Sequence, residues 1–175
     1  MSLEEVAIGE VQPDLVQPLL KAWFSGGSDG GCPSVSAIKP FLVPALVPNI
    51  MLLEPAGDSF VYRVVGEDLQ QLAGRNLRGL TVRDLYGETD YGRMIEAHYR
   101  QAVADRRPIH LEDRYRRPQD GLTLATWRVV MPYATDGAVT RLLAVQTFED
   151  GTEPDSLPVL PEAAAVRRMC RVAAP

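Results

Sequence analysis

The most informative part of the sequence is residues 109–147, IHLEDRYRRPQDGLTLATWRVVMPYATDGAVTRLLAVQT. Two Asp-Gly pairs divide it into three segments rich in β-branched and aromatic residues, 109–115, 122–131 and 139–147. Asp-Gly between such segments is typical of tight β-hairpin turns, because both turn residues there adopt positive φ. We therefore predict three consecutive antiparallel strands, joined by turns at Gln119–Gly121 and Thr135–Gly137.

Two further strands are predicted upstream, at Ile50–Leu53 and Phe60–Val65, with a turn between them. Three helices are predicted between these strands and the last three: Glu67–Ala73, Thr81–Tyr86 and the longer Asp90–Asp105. A sheet whose helices fall between its second and third strands belongs to the α+β class. The prediction is a five-stranded antiparallel sheet with helices on one face and a pocket beneath the longest helix.

The two flanks of this core have a different composition. Apolar residues recur at helical spacing from Pro13 to Phe24, which predicts an N-terminal amphipathic helix whose start Pro18 sets or kinks. The tail ends in a short Ala/Arg stretch and is expected to be frayed or a weak helix. The predicted organisation is a flexible N-terminus at 1–12, the helix and a proline-rich connector at 13–48, the core at 49–148 and the tail at 149–175.

Charge and composition exclude several classes of function. The net charge of −5 argues against a nucleic-acid binder and against attachment to an anionic membrane. The first ten residues hold three glutamates and no basic residue, and the most apolar run, 41–53, is short and broken by prolines. A cytoplasmic location is expected. Cys32 and Cys170 are isolated, so they are expected to be reduced thiols, and no metal site is predicted.

The order of these segments resembles the PAS fold, and specific stretches resemble the PAS subfamily common in alphaproteobacteria over about residues 15–148. The stretches that carry the resemblance are Leu20–Trp23, the proline-spaced run through Pro48–Leu53, Phe60–Gly66, Leu72–Leu80, and Tyr99–Val103 before Arg107-Pro108.

The resemblance implies a stand-alone sensory or adaptor domain in bacterial signal transduction. Such a domain binds a small ligand or a signalling protein and performs no catalysis. It also implies a homodimer formed through the N-terminal helix, where the contacting side chains would be Leu15, Leu19, Trp23 and Phe24.

Five residues are candidates for the lining of the pocket. His98 and Tyr99 lie on the longest helix, and Tyr115 and Trp127 are the aromatic residues of the C-terminal strands, where core packing is the alternative. Asp113 lies on a strand that could face the pocket. The alternative for Asp113 is a surface ion pair with Arg114, Arg116 or Arg128 on a solvated sheet face.

Three features of the sequence indicate which cofactors and which kinds of catalysis to expect. Gly74–Arg78 resembles the flavin-binding stretch of light-sensing relatives, but Leu77 stands at the position of the reactive cysteine, so no flavin adduct is expected. His98 occupies a place where some relatives carry a haem ligand, which keeps a haem-binding sensor as an alternative. Residues 60–155 contain no serine and no cysteine, so covalent catalysis by a nucleophile in this core is not expected.

The enzymatic alternative is a small α+β isomerase or dehydratase. An enzyme of that kind would need a buried Asp–Tyr or Asp–His pair. The arrangement that would favour it is convergence of Asp113, Tyr99 and His98 inside the fold.

Overall fold

The computed structural model of the chain describes residues 3–27, 31–116, 123–148 and 166–175, and it is built on one mixed β-sheet. The described residues form seven strands in the order β1-β7-β4-β5-β6-β2-β3, antiparallel except for the pair β1–β7. The strands are β1 Glu4–Val6, β2 Ile50–Ala56, β3 Ser59–Val65, β4 Ile109–Arg116, β5 Thr123–Thr135, β6 Ala138–Phe148 and β7 Val166–Val172.

The helices lie where the local signals place them. They are α1 Gln17–Ser25, α2 Glu67–Ala73, α3 Val82–Tyr86 and α4 Asp90–Asp105, with 3-10 turns at Ile8–Glu10, Asp14–Val16, Val35–Ala37 and Pro44–Asn49. The side chains of Thr81 and Thr89 cap α3 and α4 by accepting from backbone N–H groups, as threonine does at an N-cap. The predicted boundaries of α2 and α4 are confirmed.

The predicted hairpin between the last two strands is also confirmed. Its turn residues Asp136 and Gly137 have φ of 48° and 79°, which Asp-Gly adopts more readily than most residue pairs. The turn predicted at Gln119–Gly121 lies outside the described residues.

The predicted five-stranded antiparallel sheet is wrong in strand number, because strands from both chain ends extend it. β7 pairs with β4 in the segment expected to be frayed or helical, and β1 pairs with β7 in the segment expected to be flexible. Val6, Cys170 and Val172 are buried there, so these segments belong to the core. The sequence did not indicate this strand because it is rich in arginine. Only alternate residues of a strand point inward, so the others can be charged.

The sheet is covered on both faces. Helices α2 to α4 cover one face, where Ile95, Tyr99 and Ala102 of α4 pack against apolar residues of the strands. The N-terminal segment covers the other face, where Trp23 lies in the core and its indole N–H donates to the Pro132 carbonyl at 2.7 Å. Pro18 falls in the first turn of α1, so the predicted helix from Pro13 begins as a 3-10 turn and becomes α-helical at Gln17.

Two further observations concern the chain as a whole. Cys32 and Cys170 are both buried, and no disulfide joins them. Within the part of the chain that the structure describes, no helix combines the length and the apolar character that crossing a bilayer requires.

The junction between β3 and α2 requires a glycine. A Cβ atom built on Gly66 would lie 2.2 Å from the Pro48 carbonyl oxygen, a distance that no side chain can occupy. Gly66→Ala is therefore expected to lower the free energy of unfolding by about 3 kcal/mol, because the connector at Pro48 must be displaced. Urea denaturation measures this change.

Gly9→Ala is the matched control, since no atom lies within 4 Å of a Cβ at that position. It should change the stability by less than about 0.5 kcal/mol. Equal effects at Gly9 and Gly66 would contradict the close approach.

Candidate functional site

A buried arginine lies at the centre of the face covered by α4. Strand register creates its surroundings, because Asp113 of β4 lies opposite Thr126 of β5, and Arg128 of β5 lies opposite Gln146 of β6. Residues two apart on a strand share a face, so Thr126 and Arg128 point the same way. We call Arg128, Asp113, Thr126, Gln146 and the α4 residue His98 the Arg128 cluster.

Solvent is excluded from this cluster. Arg128 and Asp113 are each only 1% exposed, and Thr126, Gln146 and His98 are buried with them. A full charge is rarely buried to this extent unless it is paired, because transfer out of water costs several kcal/mol. The contacts made by Arg128 therefore decide what this site can do.

Only part of the guanidinium is satisfied. Its Nη2 donates to Gln146 Oε1 at 2.8 Å and, at 3.4 Å, to the Tyr91 hydroxyl. Its Nη1 lies 3.7 Å from Asp113 Oδ2, which is an ion pair but is longer than a direct charge-assisted hydrogen bond. The Thr126 hydroxyl donates to the other carboxylate oxygen, Asp113 Oδ1.

Several polar atoms of the cluster have no hydrogen-bond partner among the described residues. They are Arg128 Nε and Nη1, Asp113 Oδ2, Gln146 Nε2 and His98 Nδ1. Buried polar atoms in native proteins are nearly always satisfied by protein, water or ligand, because leaving one unpaired costs about 1–3 kcal/mol. Five such atoms together indicate a place where a polar molecule belongs.

Helix α4 is fixed above the cluster by a second buried acid. Glu96 accepts from the Ser59 hydroxyl at 2.6 Å and lies 3.4 Å and 3.5 Å from the side chains of Arg83 and Arg100. Burial opposes ionisation of Glu96, but the Ser59 hydrogen bond and the two arginines together hold its pKa below the ordinary value. These contacts tie α4 to the β2–β3 hairpin and to α3.

The protonation states of the site follow from its burial. Burial, assisted by the Arg128 charge, lowers the pKa of His98 to about 3, so its imidazole is neutral at physiological pH. Burial raises the pKa of Tyr62 and of Tyr99, whose hydroxyls adjoin each other, so both stay protonated. Burial works against the charge on Arg128, but Tyr99, Tyr91 and Asp113 hold its pKa above the ordinary value.

A comparison with known protein families identifies the fold around this site. A family model described as a PAS domain matches residues 11–146. The chain belongs to the PAS domain family. No curated protein matches the sequence significantly.

Solved structures of similar outline include PAS and light-oxygen-voltage domains. The PAS domain of BvgS from Bordetella pertussis is 15% identical, with a TM-score of 0.49 over 64% of this chain and 86% of that one. A light-oxygen-voltage domain whose mechanism was studied with a flavin analogue is 19% identical, with a TM-score of 0.48 over 66% and 89%. VqmA bound to DPO is 13% identical, with a TM-score of 0.49 over 60% and 54%, so the chain spans about half the length of VqmA.

The PAS fold brings three of the five predicted pocket residues together. His98, Tyr99 and Asp113 are all buried on the face covered by α4. Trp127 does not join them, because strand alternation places it on the same face as Val129 and Met131, which pack against the N-terminal segment. The side chain of Tyr115 lies outside the described residues.

Of the four residues predicted to contact a second copy, two are buried within the chain, one is partly buried and one is exposed. Leu19 and Trp23 pack inside this PAS domain against its own sheet, so they are not available to a partner in this conformation. Phe24 is partly buried against them, whereas Leu15 is 51% exposed. The amphipathic face of α1 is used mainly within the chain.

Arg128 and Gln146 were not among the predicted site residues. The arginines of this region were expected to form a solvated sheet face, and for Arg128 that expectation is wrong. A signal was present, since Arg128 is followed by Val129, Val130 and Met131, which are apolar on both faces of the strand. A strand buried on both faces leaves no exposed side for a charge.

A concavity lies on the outer surface near β2 and β3, away from the Arg128 cluster. It is an open groove of about 630 Å³, lined by Leu52, Glu54, Arg63, Val64, Arg78, Gly79 and Arg141. Glu54 pairs with Arg63 at 2.6 Å and with Arg141 at 3.5 Å, so two of its three arginines have acidic partners. The groove is open to solvent, so its charges are screened more strongly than those of the Arg128 cluster.

The neutral state of His98 predicts a dependence of stability on pH. The pKa in the folded chain is about 3, below the ordinary 6.5, so the unfolded state binds more protons between these values. The contribution of His98 to the free energy of unfolding is therefore fully present above pH 6.5, and it is lost as the pH falls below that value. Its slope from this one group approaches about 1.4 kcal/mol per pH unit. Urea denaturation between pH 5 and 7 measures the slope, in a range above the carboxylate titrations.

His98→Gln is expected to remove this contribution and flatten the curve. His110 also has a pKa lowered by burial, on the opposite face, so His110→Gln is the matched control that removes the other histidine. If the slope were the same in wild type and His98→Gln, His98 would not be buried in the neutral form.

Proposed function

We propose that this PAS domain is a sensory or adaptor module of bacterial signalling, of the alphaproteobacterial type, that binds a small molecule at the Arg128 cluster and relays its presence to another protein. The proposal is based on the unpaired polar atoms that are buried around Arg128 beneath α4. A bound molecule that pairs with them would stabilise the closed arrangement of helix and sheet. The change would then reach the surface through α4, which Glu96 links to α3 and to the β2–β3 hairpin.

Binding accounts for the site better than catalysis does. Asp113, Tyr99 and His98 are all buried, and an isomerase or dehydratase would need such residues close together. The protonation states oppose that use, because a histidine with a pKa near 3 is a poor base and a buried tyrosine with a raised pKa is a poor acid at neutral pH. Asp113 accepts from the Thr126 hydroxyl and forms an ion pair with Arg128, so its contacts are those of a binding group.

We propose a cytoplasmic homodimer that contacts its neighbour through exposed residues beside α1, of which Leu15 is the most apolar candidate. A second signalling protein would receive the output. Haem at His98 is not favoured, because the imidazole shares its surroundings with a cationic guanidinium.

Native mass spectrometry tests the proposal on protein that has been incubated with the small-molecule fraction of a bacterial cell extract. The expected spectrum shows two chains together with a retained molecule that is released on denaturation. Arg128→Met should lose the molecule, whereas Arg141→Met, which changes an arginine of the outer groove, should keep it. A spectrum of bare protein in wild type, or equal retention by folded Arg128→Met, would contradict binding at the cluster.

A further inference from the structure

The unmet groups of the Arg128 cluster specify what kind of molecule fits there. Arg128 Nε, Arg128 Nη1 and Gln146 Nε2 are donors, whereas Asp113 Oδ2 can only accept while the carboxylate is ionised. One unmet donor and the unmet acceptor, Nη1 and Oδ2, lie 3.7 Å apart. A molecule that pairs with both must therefore present an acceptor and a donor side by side.

The charges of the cluster limit the charge of that molecule. Arg128 carries one positive charge and Asp113 is its acidic partner, and both are almost completely buried. His98 adds no charge because its imidazole is neutral. A further full charge brought into this interior would have no counter-charge among the described side chains of the cluster, and burial of an unpaired charge is costly. The arrangement therefore favours a group that is neutral overall.

The positions of the unpaired atoms further restrict which chemical group can bind. The other ends of both side chains are already occupied, since Arg128 Nη2 donates to Gln146 and Asp113 Oδ1 accepts from Thr126. A primary or cyclic amide places its oxygen and its N–H on one edge, about 2.2 Å apart from the lengths of the C=O and C–N bonds. Such an edge can form one hydrogen bond to Nη1 and one to Oδ2, which lie 3.7 Å apart. A trans secondary amide does not match, because its N–H points away from its oxygen.

We propose that the Arg128 cluster recognises a small neutral molecule through a primary or cyclic amide edge, whose oxygen accepts from Arg128 and whose N–H donates to Asp113. This inference rests on the proposed function, because it names the ligand class of the same site. The carbonyl oxygen has a second lone pair, which is available to the unpaired Gln146 Nε2.

Five probes that differ in one property at a time test the inference on the full chain. Acetamide and benzamide carry the amide edge in two sizes, and acetate and benzoate replace it with a charged group of the same shape. N-methylbenzamide keeps the ring but turns the N–H away. Isothermal titration calorimetry at constant ionic strength measures each dissociation constant, and the midpoint of thermal unfolding reports binding independently.

At least one primary amide should bind tenfold or more tightly than its matched carboxylate, and benzamide more tightly than N-methylbenzamide if the ring is accommodated. One hydrogen bond to a charged group accounts for a factor of that size. Arg128→Met should abolish amide binding, and Arg141→Met should leave it unchanged. The wild-type comparison stands by itself if Arg128→Met fails to fold.

Three results would overturn the inference. Tighter binding of acetate or benzoate would make the cluster an anion site, and the proposed function would stand. Amide binding that persists in folded Arg128→Met would place the amide elsewhere. Binding of no probe at all would show that the cluster does not recognise an amide edge. In that case the native mass spectrum separately decides whether the domain binds any small molecule.

Discussion

A guanidinium buried between sheet and helix is the constraint on which the rest of this structure depends. Arg128 is 1% exposed, and its charge is tolerated only because Asp113, Gln146 and Tyr91 lie within reach. Those partners come from two neighbouring strands and from α4. The register of β4, β5 and β6 and the position of α4 are therefore linked through one side chain. A slip of one residue in β5 would turn Arg128 toward the apolar core beneath α1.

The two faces of the sheet serve different purposes in this arrangement. The face beneath α1 is mostly apolar, although His110 is buried there, and the Trp23 indole donates a hydrogen bond to the Pro132 carbonyl. The face beneath α4 combines an apolar core with the polar Arg128 cluster. Apolar packing beneath α1 stabilises the sheet. The face beneath α4 can therefore contain polar atoms that lack hydrogen-bond partners. Incomplete satisfaction is destabilising, and proteins retain it mainly where a binding partner completes the set.

Local chemistry made much of the fold predictable from the sequence. The Asp136-Gly137 turn, the threonine caps of α3 and α4, and the apolar stripe of Ile95 and Tyr99 each act over a few residues. Pairing between distant segments was not predictable in this way. β7 contains three arginines among its seven residues, and its identity as a strand depends on the open edge of β4, some 55 positions earlier in the chain. Residues of the site were predicted to a similar extent. Asp113, His98 and Tyr99 were predicted as lining residues, whereas Arg128 was assigned to a solvated face because the arginines of this region alternate with acidic residues.

Arg128 and Asp113 form one buried electrostatic unit, and a double-mutant cycle measures the coupling between them. The free energy of unfolding is measured for wild type, Arg128→Met, Asp113→Asn and the double variant. Each single change leaves the other group without its partner in the interior, so the double variant should be more stable than the sum of the single effects predicts, by about 1.5 kcal/mol or more. Additivity to within about 0.5 kcal/mol would show that the two side chains do not interact, and it would contradict this account of the site.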